Sequence, residues 1–396
     1  MNTLNEQLFV LLALGLGGED WQSFVDHYEE KYDAVQIDGF TFAPTQLNYT
    51  FQQLIASTGA TTLPAYVDPE SPGFEAALRT LKGRSDSIPT QKKFYRLNRV
   101  IVQEKLQLLQ KFGNAVLTPE MEDVFMGLLD ESTEGLIKAY YNALTNQRMR
   151  IVSTGKFVID VTNNPQGLKG IEIDFGIADS HYDTLSGTSR FWTNVDHTKA
   201  NEGSASDPVT YFKNTVKKIR RTFHYYGPLQ MEISQDLYDD LMTHSKVLSR
   251  IGHSLYPNVT DDATVIANAQ NYSDEALKGI FSKLIGVTVV PRDSFAYVDA
   301  PGTNDAGEKD LITTQIANFE PTNVAFVPQG SLGTIMGVEP LTLGYEPDKI
   351  AKFNGGRLIL SQRANPETHS LYIESEAAQI CVPDKPQAMF ISTVTV

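Results

Sequence analysis

The feature that most constrains this fold is a helical pattern that runs without a break from residue 119 to residue 150. Thr118-Pro119-Glu120 is a helix start, because it combines a hydroxyl cap, a proline in the first turn and an acid at the positive helix end. Arg148 and Arg150 suit the negative C-terminal end. At about 1.5 Å per residue this is a rod of roughly 45 Å. The average helix has only about 11 residues, so the sequence predicts one unusually long, rod-like helix.

Length and composition place the rod in a large globular protein. The chain has 396 residues, of which 41% are apolar and 20% charged. These values exclude a disordered, collagenous or low-complexity protein, and the length predicts two or three domains or one elaborated domain. Cys381 is the single cysteine, which excludes an intrachain disulfide and a cysteine-based zinc site. It also favours a protein made in a reducing compartment.

Beyond the rod, helical and strand patterns are mixed. Two alternating strands at 157–161 and 171–175 flank a turn-rich segment. We expect a helix from Asp207, as its cap, to Tyr226, and a second helix capped by Ser234. The remaining predicted elements are a strand at 229–233, a helix at 273–285 that leads into a strand at 287–290, and β-runs at 323–327, 358–360, 371–374 and 388–396. This layout predicts an α+β fold without internal repeats.

The net charge of −15 is spread unevenly. An acidic chain repels nucleic acid and anionic lipid, yet residues 79–111 hold nine basic side chains and two acids. Partial alternation through Tyr95-Leu97 and Val100-Val102 predicts a β-hairpin arm there. A basic arm on an acidic chain favours contact between copies. A nucleic-acid contact, suggested by Phe94 and Tyr95 among the cations, and a solvated face are the alternatives.

Two further segments, a basic helix and an apolar run, bear on possible partners of the chain. Lys213, Lys217, Lys218, Arg220 and Arg221 fall mainly off the apolar stripe of their predicted helix, which favours a solvated face over an anion site. The apolar run at 8–16 is less than half a membrane span and lacks basic flanks. It therefore predicts a buried or interface helix, with no membrane partner.

The sequence contains no complete motif for catalysis or metal binding. Asp179, His181 and Asp183 alternate like metal ligands on a strand, but the neighbouring serines and glycine indicate a polar loop. Residues 252–256 begin like a nucleophile elbow, yet Tyr256 stands where the second glycine is needed. No phosphate-binding or dinucleotide-binding glycine loop is present. These motifs therefore single out no catalytic residue, no cofactor and no metal, although a carboxylate pair as in glycosidases stays open.

The order of several motifs resembles that of one protein family, the major capsid proteins of lambda-like tailed phages. The resemblance covers about residues 118–396 and depends on the order of loose motifs. These are the long helix, then Thr154-Gly155-Lys156, two strands that end on Asp174-Phe175-Gly176, Phe191-Trp192, the helix 275–285 with Gly286-Val287-Thr288-Val289-Val290, Asn323-Val324-Ala325-Phe326-Val327-Pro328 with Gly330, and a last pair of strands around Pro383-Asp384-Lys385-Pro386.

The resemblance implies an HK97-type capsid fold. Its expected parts are an N-terminal arm at 1–59, an E-loop hairpin at 60–112, a peripheral (P) domain at 113–206 and 341–372 with a spine helix at 119–150, and an axial (A) domain at 207–340 and 373–396. The region before the spine matches the family weakly, so the limits of the arm and loop are approximate. No coiled-coil scaffold stretch is visible at the N-terminus, which suggests a separate scaffolding protein or an N-terminal processing site.

The implied function is self-assembly into hexamers and pentamers of an icosahedral head that encloses double-stranded DNA. The expected partners are other copies of the chain, scaffolding and portal proteins and decoration proteins, without sequence-specific nucleic acid. The expected location is the virion, with assembly in the host cytoplasm. We predict that the E-loop cations Lys92, Lys93, Arg96 and Arg99 lie at an intersubunit contact. An encapsulin-like compartment and an unrelated hydrolase are the alternative functions.

Overall fold

The computed structural model describes residues 18–32, 35–56, 81–98, 100–101, 104, 121–167, 169–185, 207–303, 309–340, 349–365 and 370–394. In this part of the chain the helices are α1 (Gly18–Tyr32), α2 (Met121–Thr154), α3 (Pro208–Arg221), α4 (Gln235–Thr243), α5 (Ser245–Leu255), α6 (Asp262–Ala269) and α7 (Asp274–Ile285). The mixture of these helices with seventeen described strands confirms the α+β class.

The strands before α3 are β1 (Phe40–Phe42), β2 (Thr50–Ala56), β3 (Leu81–Ser87), β4 (Thr90–Asn98), β5 (Lys156–Ile159), β6 (Ile171–Asp174) and β7 (Tyr182–Leu185). Those after it are β8 (Leu229–Ser234), β9 (Thr288–Arg292), β10 (Phe295–Thr303), β11 (Lys309–Ala317), β12 (Asn323–Pro328), β13 (Gly333–Val338), β14 (Ile350–Phe353), β15 (Leu358–Asn365), β16 (Ser370–Pro383) and β17 (Phe390–Val394).

The predicted rod is α2, and it extends four residues beyond the predicted end. Its expected start at Thr118-Pro119 lies outside the described residues. The helix ends at Gly155, whose N–H donates to the Ile151 carbonyl at 2.8 Å and whose φ is +74°. Glycine terminates helices in this left-handed conformation because it has no Cβ to clash. A glycine therefore sets the length of the rod.

The chain divides into two compact units. The first contains residues 1–51, 85–145 and 334–382, and the second contains residues 52–84, 146–333 and 383–396. The domain limits derived from the family resemblance remain a prediction, and the arm and E-loop fall partly on residues outside the description. No described helix is long and apolar enough to cross a membrane.

The first unit is built on a sheet in the order β1-β13-β16-β15-β14, with β4 also paired to β16. Helix α1 packs on this unit, and its Trp21 is fully buried with Nε1 donating to the Leu360 carbonyl at 3.2 Å. On α2, Tyr140 donates to Gln379 of β16 at 3.0 Å. Burial of large aromatic rings stabilises the unit. One face of α1, with Trp21, Val25 and Tyr28, thus belongs to the packed core of this unit.

The second unit is built on a mixed sheet in the order β7-β17-β12-β8-β9. Helix α3 buries its apolar stripe here, with the Phe212 ring 5.8 Å from Phe326 and 6.2 Å from Phe281. Both predicted caps are confirmed, since the Asp207 and Ser234 side chains accept N–H groups of the first turns of α3 and α4. The predicted end of α3 at Tyr226 is wrong.

Candidate assembly surface

Strand β4 carries the described part of the predicted contact. It pairs antiparallel with β16 from Thr90↔Ala378 to Asn98↔Ser370 and places Lys92, Lys93 and Arg96 along one strand. Arg99 lies outside the described residues. Strand β3 pairs with β2 and not with β4, so residues 81–98 are two strands with different partners. Strand structure predicted around Val100 is wrong, because residues 100 and 101 are helical.

Alternation along β4 divides its cations between two faces. Lys92, Phe94 and Arg96 share one face. Lys93 is on the opposite face with Tyr95, whose ring centroid is 5.6 Å from the Lys93 Nζ. The structure therefore brings Lys92 and Arg96 together and separates Lys93 from them.

The face with Lys92 and Arg96 combines paired charges with exposed aromatic area. Lys92 Nζ lies 2.8 Å from Glu376 Oε2, so part of its charge is neutralised within the chain. Arg96 and Arg363 each lie within 6 Å of the Tyr372 ring centroid. Phe94 is 61% exposed and its ring lies 6.0 Å from Tyr372. Aromatic and arginine side chains are enriched at protein interfaces, so this arrangement can serve as a contact between copies. That role stays a prediction.

A buried charge cluster joins α2 to the sheet of the second unit. Arg148 donates from Nη1 and Nη2 to the two carboxylate oxygens of Glu232 at 2.5 Å each, and Arg292 Nε donates to the same carboxylate at 2.9 Å. Glu232 is fully buried. Burial raises the pKa of a carboxyl group, but the two arginines outweigh it and hold the pKa of Glu232 below its usual range. The fixed geometry suits a structural ion pair.

Of the candidate metal ligands Asp179, His181 and Asp183, the last two serve packing and hydrogen bonding, and Asp179 is exposed. His181 is stacked on Phe223 at 3.5 Å, and its Nδ1 lies 2.8 Å from the Met389 carbonyl oxygen. Burial lowers the pKa of this imidazole. Asp183 accepts the Tyr211 hydroxyl at 2.7 Å. Among the described residues, no group of three or more His, Cys, Asp or Glu side chains is arranged to hold a metal ion.

The motif that begins like a nucleophile elbow lies within helix α5, so Ser254 is not on a strand-turn-helix. A cavity near the start of α3 is lined by Asp207, Thr210, Lys246, Ser249 and Arg250. Arg250 Nη2 lies 2.5 Å from Asp207 Oδ2. Although burial opposes it, hydrogen bonds from Thr210 and Arg250 hold the pKa of Asp207 below its usual range. The carboxylate is thus already used as a helix cap and ion-pair partner.

Comparison with known proteins identifies the fold. No protein-family model matches the sequence, and no curated protein matches it. The chain is similar to the structure of a candidate prophage capsid protein of Escherichia coli CFT073, with a TM-score of 0.52 and 12% sequence identity over 97% of this chain and 100% of that one. The chain has the HK97-type capsid fold. The predicted fold class is confirmed.

Two further structures are similar to this chain, with lower scores than the prophage protein. A phage-related protein of Bordetella bronchiseptica RB50 has a TM-score of 0.45 and 11% identity over 96% of this chain and 97% of that one. The mature capsid of bacteriophage PhiM1 has a TM-score of 0.42 and 9% identity over 91% of this chain and 87% of that one.

Sequence reasoning missed one surface of this chain. Strands β10 and β11 form a two-stranded ribbon in which all nine residues of β10 pair with residues of β11. The ribbon exposes Phe295, Tyr297, Leu311 and Ile312. The hint in the sequence was a cluster of apolar side chains between the turn residues around 293 and 304–307. Pro301 and Gly302 disfavour a strand, so the pattern was not recognised.

Proposed function

We propose that this chain is the major capsid protein of a tailed bacteriophage and that copies of it form hexamers and pentamers of an icosahedral head around double-stranded DNA. The observation that carries the proposal is the HK97-type fold, shared with a candidate prophage capsid protein over nearly the whole of both chains. The role is structural, so the chain acts through geometry and not through catalysis.

The described residues suit assembly from many weak contacts. A surface such as the β4 face contributes little alone, but repetition in every copy adds the contacts together, and symmetry closes the shell. We propose that Lys92, Lys93, Arg96 and Arg99 lie at such a contact, with the loop of one copy over the acidic body of its neighbour. The net charge of −15 supports an attraction between this basic loop and the acidic body of the neighbouring copy.

The proposal also covers partners and location. A separate scaffolding protein and a portal protein would complete the head, with decoration proteins as possible additions, and the assembled protein would be found in the virion after assembly in the host cytoplasm. We expect no sequence-specific contact with the packaged DNA, because the acidic chain repels phosphates.

Expression of the full chain, followed by light scattering and negative-stain electron microscopy, tests this function. Hexamers, sheets or closed shells are expected. The measurement is repeated with the products of the neighbouring genes, since a capsid protein can await its scaffold. A chain that stays monomeric even then would overturn the proposal in favour of an enzyme. Shells filled with an enzyme cargo instead of DNA would identify an encapsulin-like compartment.

A further inference from the structure

Among the residues that the structure describes, few pack against the ribbon β10–β11. Two strands of nine residues extend about 30 Å at ~3.4 Å per residue. In the register of the pair, Phe295, Tyr297 and Leu311 share one face and Ile312 lies on the other. Tyr297 is 68% and Ile312 46% exposed. Because an isolated two-stranded hairpin is only marginally stable in water, a ribbon that exposes apolar side chains on both faces requires a further surface.

The ribbon is also acidic. Residues 293–310 contain five acids and one lysine in sequence. Of these, Asp293 is exposed and Asp299 is half-buried, with its Oδ1 accepting the Thr313 hydroxyl at 2.7 Å. A partner for this ribbon therefore needs apolar area together with positive charge.

Helix α3 of the same unit has both properties. Lys213, Lys217, Arg220 and Arg221 fall within about 100° of arc at ~100° per residue. None of the four forms an ion pair with any residue that the structure describes. Tyr226, five residues after the helix, is 75% exposed. Stabilisation of the helix dipole accounts for cations in the last turn but not for Lys213 in the middle of the helix.

The ribbon leaves the sheet of the second unit at one edge, and Tyr211 of α3 contacts the opposite edge. The ribbon follows directly from edge strand β9, while the Tyr211 hydroxyl of α3 bonds Asp183 of β7 and Ser392 of β17 at the other edge. Four strand spacings of about 4.8 Å separate the edges by roughly 19 Å. Within one copy, no ion pair among the described residues joins Asp293 or Asp299 to the basic side chains of α3. Between copies the two surfaces would form a head-to-tail contact, which generates rings when the rotation closes.

We propose that the β10–β11 ribbon of one copy binds the basic face of α3 on a second copy of this chain. The contact joins the acids Asp293 and Asp299 to Lys213, Lys217, Arg220 and Arg221, with Tyr297 and Tyr226 as the aromatic contributions. The inference rests on the proposed function, because it names the surfaces through which copies associate within a ring.

Charge reversal followed by charge exchange tests the contact. Lys217→Glu with Arg221→Glu, and separately Asp293→Lys with Asp299→Lys, should each lower the assembled fraction at least about tenfold at fixed concentration. All four changes in one chain should restore assembly. Lys283→Glu reverses another exposed lysine, in the last turn of α7, and should assemble normally. Circular dichroism checks that each variant is folded. If the Lys217 and Arg221 reversal does not fold, Lys217→Gln with Arg221→Gln takes its place.

The outcomes separate this inference from the proposed function. Wild-type protein that assembles while both reversals assemble equally well overturns the inference alone. If each reversal blocks assembly and the chain with all four changes also fails to assemble, the ribbon–helix pairing is overturned. Normal assembly of the Lys217 and Arg221 variant with loss of co-purifying DNA would assign α3 to nucleic acid and overturn the protein contact. Wild-type protein that never assembles, even with neighbouring gene products, overturns the proposed function itself.

Discussion

Arg148 of helix α2 and Glu232 of strand β8 form a bidentate ion pair, with both N–O distances at 2.5 Å and both side chains fully buried. Arg292 adds a third hydrogen bond to the same carboxylate. A buried carboxylate is held this strongly only when its partners replace the water it has lost. The cluster therefore fixes the C-terminal end of the long helix against β8 and the neighbouring edge strand β9.

Replacement of Glu232 by glutamine should strongly destabilise the unassembled chain. The change leaves the buried Arg148 and the partly buried Arg292 without their carboxylate, and loss of one partner of a buried pair typically costs about 3–5 kcal/mol. The measurement is the free energy of unfolding by urea. Glu320→Gln is the matched control, because Arg150 and Glu320 form a 2.8 Å pair that is partly exposed and worth about 0–1 kcal/mol. Equal losses in the two variants would contradict the prediction.

Stability should depend on the ionisation of Glu232 in acid. The pKa of Glu232 is lowered in the folded state, so the unfolded chain binds the proton first as the pH falls. The stabilisation is then fully present above the unfolded pKa of about 4.3 and is lost as the pH falls through the folded pKa. Urea unfolding measured between about pH 6 and pH 3 should show a steeper loss for wild type than for Glu232→Gln. If the free energies of unfolding of the two proteins fall in parallel with pH, other carboxylates dominate the loss of stability in acid.

Local signals in the sequence predicted local structure well. The caps at Asp207 and Ser234 are correct because a cap depends on a side chain and the N–H groups of the next turn. The end of α3 was misjudged because Phe223 continues the apolar spacing of the helix. Phe223 is buried outside the helix, where it stacks on His181, and the next residue, His224, has a left-handed φ of 54°. The spacing of apolar residues predicts which side chains are buried, but it does not predict whether the backbone at those residues is helical.

The candidate site was predicted only in part for a different reason. Alternation at Tyr95 and Leu97 indicated strand structure for β4, but its partner β16 lies more than 270 residues away along the chain. The sequence around Lys92 contains no signal that Glu376 lies opposite it on the neighbouring strand. The apparent excess of positive charge in this segment is therefore smaller in the fold than in the sequence. The Arg148–Glu232 pair escaped prediction for the same reason, because its members are 84 residues apart.

Gly155 should be less tolerant of alanine than Gly286. Both glycines end helices with a φ near +75°, where a Cβ is strained by about 1–2 kcal/mol. A Cβ at Gly155 would also collide with the Tyr182 hydroxyl and the Ile177 side chain, whereas at Gly286 no atom lies within 4 Å. We expect Gly155→Ala to cost at least about 1 kcal/mol more than Gly286→Ala. Thermal and urea unfolding of the two variants provide the comparison, and equal costs would show that Tyr182 moves aside freely.

Exchange of Lys92 and Glu376 separates the role of Lys92 within the chain from its proposed role between copies. Lys92→Glu alone places two carboxylates on neighbouring strands, which weakens the β4–β16 pairing by up to about 1 kcal/mol. Adding Glu376→Lys restores the pair with its direction reversed, so the unfolding free energy should return to that of wild type. If Lys92 also contacts a neighbouring copy, the exchanged chain will fold normally but fail to assemble, as seen by light scattering.

Glu275→Lys with Lys278→Glu exchanges an exposed pair on α7 and should assemble like wild type. Normal assembly of the Lys92 and Glu376 exchange would instead confine Lys92 to its own subunit.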